Sequence, residues 1–164
     1  MPPKDPFNSM LSLGYTLSMH EIYGLIEGHG LNAYAGFLHQ DREKHPTLAS
    51  DLMEEWRAVI VDSVVLSLIQ GHDISIDGFQ DDHETGGILL MNDTFRIFVR
   101  KYEKKLRSEI RYLQSQGRQS YRALLNQQVL LFAKAIDEED PEDNAAGSTD
   151  FSLGDSYTTM CIIN

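Results

Sequence analysis

The sequence predicts a mainly α, compact multi-helix domain with room for one short β-hairpin. Two observations carry that prediction. Apolar residues recur at three- and four-residue steps along long stretches of chain, and the stretches are bounded by residues that cap or break helices. At 164 residues and 41% hydrophobic composition the chain can bury one ordinary core without disulfide staples. Its single cysteine, Cys161, has no internal partner, and no fixed-period repeat points to a solenoid.

Asp5 and Pro6 read as an N-cap and first helical residue. Phe7, Met10, Leu11, Leu17, Ile22, Leu25 and Ile26 then form an apolar set until Gly28-His-Gly30 stops the helix. A loop carrying His39 follows. Pro46 precedes a second helix from about Thr47 to Gln70, with Thr47 as its cap. This helix starts acidic and ends in the almost wholly apolar Val59-Ile-Val and Val64-Val-Leu-Ser-Leu-Ile69, a pattern that belongs at the centre of the core. Ile74-Ser-Ile76 and Ile88-Leu-Leu90 are the two pieces expected to pair as the hairpin. A basic helix from Thr94 would bury Phe95, Phe98, Val99, Tyr102, Leu106, Ile110 and Leu113, until Gln114-Ser-Gln-Gly117 breaks the pattern. Ser120 caps a last helix that extends through Ile136. The chain thus divides into a helical lobe over 1–136, an acidic segment over 137–150 expected to be flexible, and a C-terminal tail over 151–164.

The net charge of −11 argues against a general nucleic-acid binder until its distribution is considered. Residues 93–123 hold nine Lys or Arg against three Asp or Glu, a local balance of +6 that leaves −17 for the rest. Arg96, Arg100, Lys104, Arg107 and Arg111, with Lys101 and Lys105 alongside, recur at helical steps and would form a basic stripe able to follow a phosphate backbone. A solvated amphipathic face explains the same spacing, and spacing alone leaves both readings open. No apolar run reaches the length of a membrane span and the N-terminus lacks a signal peptide's hydrophobic region, which points to the cytoplasm with no membrane partner. The last four residues resemble a prenylation box only superficially, since Asn164 is an unusual final residue and no polybasic stretch precedes them.

Chemistry concentrates between Gly36 and Arg57. His39 lies in a loop, and Asp51 should sit about one turn inside the next helix, at its positive end. Glu54 and Glu55 fall three and four residues further on. Like charges on one helical edge repel by roughly a few tenths of a kcal/mol per pair, and a divalent ion held by His39 and Asp51 would relieve that repulsion. The plain alternatives are a hydrogen-bonded loop histidine, an Asp favouring the helix N-terminus and an ordinary i,i+3 pair between Glu54 and Arg57. His20, His29, His45 and His72 show no liganding spacing, and Asp81-Asp-His-Glu84 reads as a solvated polar loop.

Three blocks carry a family resemblance: Asp5-Pro-Phe-Asn-Ser-Met-Leu-Ser-Leu-Gly14-Tyr, Gly30-Leu-Asn-Ala-Tyr-Ala-Gly-Phe-Leu-His39 and Leu48-Ala-Ser-Asp-Leu-Met-Glu-Glu-Trp-Arg57. In this order and spacing, and together with Gly86-Gly-Ile-Leu-Leu and the basic helix, they resemble the catalytic domain of the CRISPR-associated Cas-one endonuclease/integrase over roughly residues 2–136. The resemblance implies a metal-dependent enzyme that cuts and joins DNA during spacer acquisition, with a Cas-two adaptor protein as partner and assembly into homo-oligomers. It implies Mg²⁺ or Mn²⁺ held by His39, Asp51 and a glutamate from an upstream helix, and a mixed nitrogen and oxygen donor set suits manganese the better. Asn8 and Tyr15 match family positions near that site, as polar support or DNA contacts, and Glu54 and Glu55 are expected to stand behind the ligands. The family's glutamate lies upstream of the first block, which here starts at Asp5, so the expectation is an N-terminally truncated catalytic-type lobe with weak metal binding and impaired activity. The competing expectation is a noncatalytic helical module that binds DNA or protein.

Overall fold

The structure, a computed structural model, describes residues 2–35, 46–111 and 117–139, with side chains up to 136. Five α-helices and two small antiparallel hairpins make up these residues, so the mainly α expectation holds.

Helix α1 (Pro6–Gly28) starts as the sequence predicts. The Asp5 carboxylate accepts from the Asn8 backbone N–H at 2.9 Å, and Pro6 occupies the first turn, where its missing N–H costs nothing. The helix ends at Gly28, and Gly30 takes a φ of +76° that few other residues tolerate. Met10, Gly14, Ser18, Ile22 and Ile26 form its buried stripe at four-residue steps. Two small residues in that stripe let neighbours come close. A Cβ on Gly14 would run into Val61 and the Phe98 ring.

The expected helix over 47–70 is helical throughout but not uniform. It comprises α2 (Thr47–Met53), a 3-10 turn (Glu54–Trp56), a π turn (Arg57–Asp62) and α3 (Ser63–Gln70). Thr47 is not its cap. Pro46 holds that position with no side-chain hydrogen bond, and Thr47 is the first helical residue, buried against the core. Trp56, Ile60, Val61, Val64, Val65 and Leu68 are buried, which puts this run at the molecule's centre as its composition requires.

One strand of the expected hairpin forms where the sequence places it, at Ile88-Leu-Leu90, but its partner is not Ile74-Ser-Ile76. Ile74 precedes, and Ile76 enters, a 3-10 turn (Ile76–Gly78) whose first N–H groups are met by Ser75, and Ile76 is 70% exposed. Strand β1 (Phe79–Asp82) pairs instead with β2 (Gly87–Leu90), joining Phe79 to Leu90 and Asp82 to Gly87. The Ile88 N–H donates to the Pro3 carbonyl and Ser9 donates to the Ile88 carbonyl, so the N-terminal segment and α1 cover this hairpin's open side.

Helix α4 (Asn92–Arg107) is shorter than its periodicity implies. Ser108 turns extended and its hydroxyl donates to the Lys105 carbonyl, which ends the helix. Ile110 therefore lies in strand β3 (Glu109–Arg111), paired with β4 (Arg118–Ser120), rather than on the helix; Leu113 lies outside the described residues. Thr94, Phe98, Tyr102 and Leu106 form the buried stripe of α4, while Phe95, expected inside, is 42% exposed. Ser18 and Tyr102 share a buried hydrogen bond, and burial pushes the Tyr102 hydroxyl up to about 12. Helix α5 (Tyr121–Glu139) is capped by Ser120, which accepts from the Ala123 N–H, and it extends three residues past the expected lobe boundary. Residues 140–164 lie outside the described residues. Arg122 closes the bundle by bonding Glu21 of α1 and Glu103 of α4, two carboxylates that raise its pKa.

Candidate functional site

The predicted site residues begin with Asp51, one turn inside α2, as expected, and only 2% exposed. Helix α2 is anchored by the Leu48 N–H, which donates to the Ala33 carbonyl, and by Ser50 against the Met19 sulfur of α1. His39 lies outside the described residues.

The next two acids, both in the 3-10 turn, have different surroundings. Glu54 is open to solvent and accepts from Arg57 at 2.9 Å, the i,i+3 pair that the sequence allowed. The Arg57 guanidinium lies 4.4 Å from the centre of the Tyr15 ring. Tyr15 in turn donates to Asp62 at 2.7 Å, and burial with that bond raises its pKa. Burial opposes the charge on Arg57, but Glu54 and Tyr15 outweigh it and raise the pKa. Glu55 instead meets α5. Gln128, 6% exposed, donates to Glu55 at 2.9 Å and accepts from the Trp56 indole N–H at 2.7 Å. Burial raises the Glu55 carboxyl above its ordinary value. Asn8 is engaged at the start of α1, where its side-chain amide donates to Asp5 at 2.7 Å.

Asp62, Trp56 and Gln128 are the members of these networks that sequence reasoning missed. Gln128 reads as one polar residue of an amphipathic helix, and only the fold brings it to Trp56, 72 positions away. Among the described residues no three His, Cys, Asp or Glu side chains come close enough together to hold a metal ion. They fit such a group only in part: Asp51 and Glu54 are hard oxygen donors on one short stretch, and the expected imidazole lies in the segment beyond them.

The cationic surface divides into paired and unpaired groups. Arg96 lies 3.7 Å from Asp93, Lys101 meets Asp73 at 2.8 Å, and Arg107 meets Glu103 at 3.3 Å. Lys105 sits over the Tyr121 ring at 4.4 Å, and burial lowers its pKa. Arg100 and Lys104 have no acidic partner among the described residues and line a concavity near the end of α4 with Glu103, Arg107 and Ser108. Arg111, expected on the helix, projects from β3.

Such a layout is a helical lobe in which an acid-bearing central run packs against a helix that carries two cations, Arg100 and Lys104, with no acidic partner among the described residues. The chain belongs to the Cas1 family: the family model described as "CRISPR associated protein Cas1" matches residues 1–104. A relative named CRISPR-associated endonuclease Cas1, from Mycobacterium tuberculosis (strain ATCC 25618 / H37Rv), is 40% identical over 141 residues, 85% of this chain and 42% of that protein. The chain thus spans less than half the length of such curated relatives. Among solved structures, a casposase bound to integration product superposes with a TM-score of 0.76 at 26% identity, covering 87% of this chain and 38% of that one. A partial Cas6-RT-Cas1–Cas2 complex gives a TM-score of 0.71 at 29% identity over 85% of this chain and 41% of the other. No helix among the described residues is long and apolar enough to cross a membrane.

Proposed function

We propose that the chain is the DNA-handling lobe of a metal-dependent endonuclease/integrase of CRISPR spacer acquisition. The observation that carries the proposal is relatedness: proteins named CRISPR-associated endonucleases align with 85% of the chain at 40% identity. DNA lies along the exposed face of α4, on Arg100 and Lys104 first, because these cations have no acid to satisfy them among the described residues. A Cas2-type protein and a second copy of the chain are the expected protein partners; a neighbour that is itself a Cas1–Cas2 complex supports the first.

His39 and the acids at 51 and 54 hold the Mg²⁺ or Mn²⁺. When bound, the ion supplies Lewis-acid polarisation of a phosphodiester. The two acids differ in access: Asp51 is 2% exposed, whereas the Glu54 side chain is 46% exposed and oriented by Arg57. Glu54 is therefore the more open of the two carboxylates to solvent and DNA. Tyr15 holds Arg57 in place, and its hydroxyl is spent on Asp62.

The test is cleavage of branched and linear DNA with Mn²⁺, run beside Mn²⁺ binding measured by electron paramagnetic resonance. Wild type should bind the ion weakly and cut feebly, with both properties falling to background in His39→Ala and Glu54→Gln, and Asp51→Asn should show which acid matters more. Metal-independent behaviour identical in all four proteins, with DNA affinity intact, would favour a noncatalytic binding module.

A further inference from the structure

We infer that the β3–β4 hairpin is a phosphate-binding prong that carries the DNA track past the end of α4, with Arg111 and Arg118 as its grip. This deepens the DNA reading above and rests on it. The register pairs Arg111 directly with Arg118 across the two strands. Cross-strand partners project from the same face, and like charges set opposite one another destabilise a hairpin. Ile110, the strand neighbour of Arg111, packs against the core, so Arg111 and its cross-strand partner point the other way, outward, and both are exposed.

Nothing described neutralises them. The chain has 25 acidic residues against 14 basic ones, and Arg57, Arg96, Arg107 and Arg122 each have a carboxylate within 4 Å. Arg111 and Arg118 have none among the described residues, although Glu109 shares their strand pair. In so acidic a protein, two facing guanidiniums with no carboxylate within 4 Å among the described residues are placed for an external anion. Two planar forks side by side match the oxygens of a phosphodiester.

The hairpin is also held where the track needs it. At its base the Tyr121 N–H donates to the Ser108 carbonyl, and Ser120 caps α5, so the strands are rooted between two helices. Ser108 lines the concavity that holds Arg100 and Lys104, and β3 starts at the next residue. A DNA backbone following α4 meets the two arginines on leaving the helix.

The experiment measures binding of a fluorescein-labelled duplex by anisotropy over a salt series, for wild type, Arg111→Gln/Arg118→Gln, Arg111→Lys/Arg118→Lys and Arg100→Gln/Lys104→Gln. The Gln hairpin variant should lose roughly 10-fold in affinity at low salt, and its log–log salt slope should become shallower by about 1 to 2, as expected for one or two lost phosphate contacts. The Lys variant should recover most of the slope, and the melting temperature of the Gln variant should equal or exceed that of wild type, because a repulsion is gone. An unchanged slope with weakened binding in the α4 variant would overturn the prong and leave the DNA reading standing. A melting temperature lowered by the Gln pair, unrestored slope in the Lys pair included, would assign the arginines to hairpin structure instead. Wild type that fails to bind DNA would overturn both.

Discussion

The helical run over 47–70 and helix α4 each read in the sequence as one continuous helix, yet one is broken twice and the other runs unbroken for 16 residues. The difference lies in how many sides each must satisfy. Helix α4 buries a single four-step stripe, Thr94, Phe98, Tyr102 and Leu106, and its other faces meet water, so its backbone follows intrinsic preference. The central run is enclosed on several sides, with α2 burying six of its seven residues, and its neighbours dictate its pitch. Gly14 of α1 admits Val61 at the π turn, while Gln128 of α5 holds Trp56 at the 3-10 turn. Those two breaks contain Glu54, Glu55 and Arg57, the residues whose surroundings define the candidate site. Interrupted helices of this kind are common where function needs a side chain aimed away from regular geometry.

Gly14→Ala is the strongest way to break the comparison. Alanine is intrinsically the better helix residue by about 1 kcal/mol, so any loss of stability reports the collision with Val61 and Phe98. The expected net loss by urea unfolding is about 1–3 kcal/mol, the range for overpacked cores. A gain in stability would show that close packing does not set the π turn. Trp56→Phe comes next. It strips the indole N–H from Gln128, leaves a buried amide oxygen without its donor, and should cost about 1–2 kcal/mol. Double-mutant coupling with Gln128→Leu distinguishes the hydrogen bond from lost ring volume: without coupling, the link between α5 and the 3-10 turn carries no stability.

The sequence made much of this fold legible, where local chemistry decides. Asp5 and Ser120 cap helices as their types and positions predict, and Gly28-His-Gly30 ends α1. Elements fixed by distant contacts were not legible. Strand β1, Phe-Gln-Asp-Asp, is too polar to read as a strand, and pairing with Gly87–Leu90 creates it. Helix α4 looked longer because Ile110 continues its period, though Ser108 had already turned the chain. The candidate site divides along the same line. The acids at 51, 54 and 55 stood out as a local cluster, and the i,i+3 pair of Glu54 with Arg57 follows from spacing. Which of them would meet solvent did not: neighbouring residues project about 100° apart on a helix, and only packing decides that Arg57 and Tyr15 engage one and α5 the other.

Glu55→Gln sharpens that last contrast with the smallest expected effect. Burial raises the Glu55 carboxyl, so the folded protein binds this proton more tightly than the unfolded chain does. The associated stability is present at pH values below the unfolded carboxyl's and is lost as pH rises through the folded value. At neutral pH the wild type therefore carries a carboxylate that burial disfavours, and a neutral glutamine removes that cost while keeping an oxygen for Gln128 to donate to. The variant should be slightly more stable at pH 7, by roughly a few tenths of a kcal/mol once solvent screening is counted, with the gain vanishing as the wild-type group protonates. Urea melts at pH 4 and pH 7 measure this directly. Glu54→Gln, exposed and ion-paired to Arg57, should show no such gain at pH 7. Equal responses from the two variants would mean that packing against α5 does not distinguish Glu55 from Glu54, and the contrast between the central run and a plain surface helix would fail there.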